Sequence, residues 1–137
     1  KLRKVIAKPR SFKGTKALGR IESVIDGDTI KVVTRHHREP YYCYNLRIYG
    51  IDTPELHPKK DEEKYEENKR AGLHAKDFLT DLLPSGTIVL IKFQDPDKYG
   101  RLLGEVFTVN FMCKPVKNIG QTLIDNGLAK EYFGGHK

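Results

Sequence analysis

The sequence contains no tryptophan, one methionine and two cysteines in 137 residues. Cys43 and Cys113 show none of the paired spacings of a zinc site, so a cysteine-built metal centre is excluded and two unlinked, partly buried thiols are expected. Sequence alone cannot place their β-carbons, which leaves a single disulfide open. No apolar run approaches the roughly 20 residues that cross a bilayer, and no stretch near Lys1 resembles a secretory leader. The chain is therefore expected to be soluble, with its compartment open. Acid is also missing from the first twenty residues. Lys1, Arg3, Lys4, Lys8, Arg10, Lys13, Lys16 and Arg20 account for more than the whole net charge of +7, so the rest is close to neutral.

That length suits one domain with a real core. Residues 1-18 mix Pro9, Gly14 and scattered cations without periodicity and read as a basic, flexible arm ahead of a domain over 19-137. Such an arm suits contact with an anionic surface, phosphate or lipid, and equally an unstructured solubilising tail. A monomer is expected.

Periodicity predicts three consecutive antiparallel strands, Arg20 to Ile25, Ile30 to Val33 and Tyr42 to Tyr49. Asp26-Gly27-Asp28-Thr29 makes the first turn, and Arg35 to Pro40, holding His36 and His37, the second. Ala71, Ala75, Phe78, Leu79 and Leu82 follow helical spacing, and Pro84-Ser85-Gly86 ends that helix. Thr87 to Phe93 and Leu102 to Val109 supply two further strands. Asn118 is placed to cap a short helix carrying Ile119, Leu123 and Ile124, with Gly127 at its stop. This order fits a mixed α+β fold: a five-stranded Greek-key barrel of the oligonucleotide-binding class with two or three helices. Such barrels bind single strands by tracking phosphates and stacking bases on aromatics, for which Tyr41, Tyr42, Tyr44, Tyr49, Tyr65, Tyr99 and Tyr132 are candidates.

The stretch Leu46 to Glu55 organises the rest. Alternation sends Leu46 and Ile48 to the core and Arg47 to the other face, and Pro54 then stops the strand, leaving Asp52, Thr53 and Glu55 on a stiff exit. Taken alone, this is equally a polar loop after a core strand, and Asp26 and Asp28 are turn residues. Together with Arg101 they suggest more. Carboxylate and carbonyl oxygens suit Ca²⁺, arginines suit phosphate, and a spare carboxylate suits a water nucleophile.

Asp26-Gly27-Asp28-Thr29, Arg47 through Ile51-Asp52-Thr53-Pro54-Glu55, His57-Pro58-Lys59-Lys60, Glu63-Lys64-Tyr65, Asp97-Lys98-Tyr99-Gly100-Arg101 and Gly127-Leu128-Ala129-Lys130 resemble the staphylococcal nuclease (thermonuclease) family, in the same order from about Gly19 to Lys130. The resemblance implies a calcium-dependent nuclease acting on DNA and RNA, single strands by preference, and leaving 3′-phosphates. It implies that Asp28 and Asp52 bind the metal directly and Thr53 through its carbonyl, with Asp26 in the outer shell. Glu55 would position or deprotonate the attacking water, Arg47 and Arg101 would grip phosphate, and Lys98 and Tyr99 would contact a terminal phosphate. Tyr132 and Phe133 lie where the family stacks a base. The sequence stops at Lys137, so the family's last helix is either missing or trimmed away, and the turn from Arg35 to Pro40 is unassigned. The alternative is a binding module of the same fold without catalysis, which predicts loss of the carboxylates or arginines; all are present.

Overall fold

A computed structural model describes residues 14–35, 38–60, 63–97 and 101–133. Most of the expected basic arm, together with His36, His37, Lys98 and Tyr99, lies outside the described residues.

Strand β1 (Lys16–Asp26) turns back into β2 (Thr29–Thr34), which pairs with β3 (Tyr42–Ile48). A turn at Tyr49-Gly50 leads to the two-residue β4 (Ile51–Asp52), and α1 (Tyr65–Leu82) follows. Then come β5 (Ile88–Gln94), β6 (Leu102–Val109), β7 (Pro115–Asn118), α2 (Ile119–Asp125) and β8 (Lys130–Glu131). The main sheet runs β3-β2-β1-β5-β6-β7, and β6 also pairs with β3 in parallel, Leu46 against Leu102, which closes five strands into a barrel. Closure leaves no exposed edge between β3 and β6.

Alternation explains the interior. Ile21, Ile30, Val32, Leu46, Ile48, Val89, Ile91, Phe93 and Val106 are buried inside the barrel, while α1 with its C-terminal cap Leu83, and α2, add Leu79, Leu83, Ile119 and Leu123 to the same core. The α1 stripe differs by one residue from its prediction. Ala71 is exposed and Gly72 is buried in its place, because the chain leaving β4 runs against that turn of the helix. At α2 the predicted cap is present: Asn118 accepts from the Gln121 amide at 3.1 Å, and Gly127 follows the helix with φ +74°.

Three short strands were not anticipated, since β4, β7 and β8 are too brief to show a period. Strand β1 opens at Lys16, opposite Lys92, four residues before the predicted start. Its first residues therefore come from the stretch read as arm. Both thiols, expected to be partly buried, are free and exposed.

Candidate active site

The β1–β2 hairpin brings the first carboxylates. Register pairs Asp26 with Thr29, so Gly27 and Asp28 form the tip. The Asp28 amide donates to Asp26 Oδ1 at 3.2 Å, and the Asp28 carbonyl accepts from the Ile48 amide at 2.8 Å. Gly27 is required here by crowding rather than by a left-handed backbone: a Cβ would lie 2.8 Å from both the Ala75 Cβ and Thr53 Oγ1. The hairpin tip is thereby pressed between α1 and the exit from β4.

Strand β3 brings Arg47 to the same point. Its side chain is only 10% exposed, and Nη2 stands 3.4 Å from Asp28 Oδ2 and 3.3 Å from Asp52 Oδ1. The cation expected on an outer face is thus enclosed between two carboxylates. Thr53 is buried, and its amide donates to Asp28 Oδ2 at 3.4 Å, while Thr29 Oγ1 donates to Asp28 Oδ1 at 3.1 Å. Burial pushes the Asp28 carboxyl up to about 6; Asp26 adds to the rise, and Arg47 and Thr29 oppose it. Even with a guanidinium alongside, this carboxylate is short of positive charge.

Glu55 is exposed on the wall of a groove of about 490 Å³, shared with Asp52, Thr53, Pro58, Asn68 and the Gly127–Lys130 segment. Its main chain is fixed from behind. A methyl group at Gly72 would overlap the Glu55 carbonyl, with the carbonyl carbon at 2.8 Å and Leu56 Cα at 3.0 Å. On the other side, β8 lies against β4 with Lys130 opposite Asp52.

The two aromatics beyond β8 separate in role. The Tyr132 amide donates to the Gly50 carbonyl at 2.9 Å, and the Arg47 guanidinium carbon lies 5.6 Å from the Tyr132 ring centre. Phe133 packs on Tyr49, ring centres 5.5 Å apart, and keeps 65% of its surface exposed. Gly50, at φ +90°, allows that approach.

Arg101 is exposed, and Asp97 holds it twice, from the Arg101 amide at 2.9 Å and from Nε at 2.7 Å. Its backbone immediately precedes Leu102, the partner of Leu46, so it enters the barrel one step from Arg47's strand.

Among the described residues, no group of three His, Cys, Asp or Glu side chains converges to hold a metal. The donor chemistry still fits a hard cation: two carboxylates converge on one Arg47 nitrogen, and one of them is undercompensated. Gly72 and Lys130 were missed as site residues. Lys130 belongs to the Gly127-Leu128-Ala129-Lys130 motif, which assigns it no role, and a helical glycine gives no signal of what it touches.

A closed Greek-key barrel carrying acidic and guanidinium groups where β3 leaves the sheet defines a fold of the oligonucleotide-binding class. The chain belongs to the staphylococcal nuclease homologue family, whose model matches residues 45–137. That stretch includes Arg47, Asp52, Thr53, Glu55 and Arg101; Asp26 and Asp28 precede it. Similar proteins include Endonuclease YhcR of Bacillus subtilis, 34% identical over 84% of this chain and 9% of its own length. An uncharacterized endonuclease of Escherichia coli is 31% identical over 83% of this chain and 60% of its own. A protein of Methanocaldococcus jannaschii is 27% identical over 84% and 59%. The chain thus spans less than two thirds of these relatives. Among the described residues, no helix is long and apolar enough to cross a membrane.

Proposed function

We propose that the chain is a calcium-dependent nuclease that hydrolyses phosphodiester bonds in DNA and RNA, prefers single strands and leaves 3′-phosphates. The observation that carries this reading is the meeting of Asp28, Arg47 and Asp52, with Glu55 on the wall of the groove that Asp52 also lines. Family membership and the endonuclease names of two relatives support it.

Asp28, Asp52 and the Thr53 carbonyl would hold the ion, with Asp26 behind Asp28 and with water or substrate oxygens completing the roughly six to eight positions calcium takes. Bound there, the ion would supply fixed positive charge where the phosphate gains negative charge. Arg47 uses one nitrogen for both carboxylates, which leaves the rest of its fork for a phosphate oxygen. Arg101 joins it by exchanging Asp97 for substrate. Glu55 orients the attacking water and accepts its proton; the water oxygen bonds to phosphorus as the bond to the 5′ oxygen breaks, and that oxygen leaves as a hydroxyl by taking a proton from solvent. Lys98 and Tyr99 contact a terminal phosphate, and Tyr132 and Phe133 border the base. No step needs a 2′-hydroxyl, so both sugars are accepted.

The test is cleavage of a fluorogenic single-stranded DNA with Ca²⁺, with a chelator, and by Glu55→Gln with Ca²⁺. Activity that requires Ca²⁺ and falls on the order of 10²–10⁴-fold in the variant supports the reading. Folded protein that is inert in Ca²⁺ would replace it with the binding module.

A further inference from the structure

The hairpin between β2 and β3 carries side chains that the proposed reaction does not use. Pairing sets Thr29 opposite Arg47, Lys31 opposite Asn45 and Val33 opposite Cys43. Their intervening neighbours Ile30, Val32 and Leu46 are buried in the barrel, so these rungs face outward. One step further, the same parity falls on Arg35 and Tyr41. The Arg35 guanidinium lies 4.7 Å from the centre of the Tyr41 ring, so the two side chains meet just beyond the last rung, Thr34 opposite Tyr42.

One outward row thus runs from the Arg47 guanidinium past Lys31 and Asn45 to an exposed ring. Tyr41 is 60% exposed, and Lys31, Arg35, Asn45 and Cys43 are exposed as well. Among the described residues no carboxylate pairs with Lys31 or Arg35. Glu39, the nearby acid, is felt instead by Tyr44, on the opposite parity, whose hydroxyl it helps push up after burial and Tyr42. Three steps of two residues span about 20 Å. A cation midway and a ring at the far end have the composition of a single-strand track.

Resting on the nuclease reading, we infer that the outward face of the β2–β3 hairpin, through Lys31, Arg35 and Tyr41, is an extended subsite that holds single-stranded nucleic acid beyond the scissile phosphate. Lys31 follows the backbone, and Tyr41, held flat by Arg35, stacks on a base several nucleotides away. A substrate too short to reach Tyr41 gains nothing from it.

The experiment is fluorescence anisotropy of labelled (dT)4 and (dT)12 in a chelator, where neither contact needs a metal, alongside cleavage in Ca²⁺. Tyr41→Ala is expected to weaken (dT)12 binding about five- to a hundredfold, while Tyr41→Phe, which keeps the ring, binds like wild type. Lys31→Ala is expected to lower the slope of log affinity against log salt by about 0.7. Both positions are exposed, so unchanged melting temperatures are the control for folding. Wild-type binding of (dT)12 by Tyr41→Ala, or equal loss in Tyr41→Phe, overturns the track. If wild type cleaves DNA but its binding ignores Tyr41, the track alone fails; if it neither binds nor cleaves, the nuclease reading fails with it.

Discussion

Gly72 in α1 lies against the carbonyl of Glu55, with no room between them for a methyl group. The helix thus acts as a stop that sets how far the carboxylate-bearing loop can retreat from the groove. Gly72→Ala is expected to force the two apart, costing about 1–3 kcal/mol in stability. Turnover should fall more than affinity, because the displaced group acts on water rather than on substrate. Steady-state kinetics with a melting curve on the same sample separates the two effects.

Arg47 is shared by two carboxylates, of which Asp28 is nearly enclosed. Arg47→Ala is expected to destabilise the metal-free protein by a few kcal/mol, since it removes the guanidinium beside the buried Asp28 carboxylate. Arg47→Lys should restore much of that stability and little of the activity, because an ammonium cannot offer two parallel hydrogen bonds. Denaturant unfolding in a chelator, paired with initial rates in Ca²⁺, checks both outcomes. Lys at position 47 with wild-type rates would remove the fork from the mechanism.

Asp28 gives the fold a pH dependence of unusual sign. Its carboxyl titrates near 6 in the folded chain and near 3.8 unfolded, so the native state holds the proton more tightly. The contribution is complete below about pH 4 and is lost as pH rises through 6, a loss on the order of 2–3 kcal/mol. Metal-free wild type should lose stability over that window relative to Asp28→Asn, which has nothing to titrate there. Thermal unfolding of both proteins between pH 4 and pH 7 reads the difference directly; parallel curves would contradict it.

Arg101 is expected to bind substrate by leaving Asp97. Arg101→Lys should slow cleavage sharply with little change in melting temperature, as an exposed ion pair contributes little to stability. Asp97→Ala should raise the mobility of Arg101 and weaken turnover less than loss of the arginine does. Initial rates for the two variants rank them, and the reverse order would assign the dominant role to Asp97.

Most of the barrel was legible because its strands alternate cleanly. Ile30 and Val32, Leu46 and Ile48, and Val89 and Ile91 each announce a buried face, and Asn118 and Gly127 bracket α2 through local chemistry. The pairing of β4 with β8 was not legible, since two residues have no period and their partners are remote. Nor could composition separate Ala71 from Gly72: both are small, and the difference lies in the main chain packed against one of them. At the site, the sequence supplied the list of groups without their mutual distances. It could not show that two carboxylates enclose Arg47 on its outward face, that Asp97 occupies Arg101, or that the Arg47 guanidinium lies over the Tyr132 ring.

The parallel seam between β3 and β6 also has a consequence in time. A ribosome releases Asp28, Arg47 and Asp52 long before Leu102, and Tyr132 later still, whereas the seam and the Tyr132 contact to Gly50 both require these distant stretches at once. Contacts so far apart along the chain form late, and domains complete as units. The nascent polypeptide therefore carries the charged groups with no frame to aim them until the last strands have been delivered.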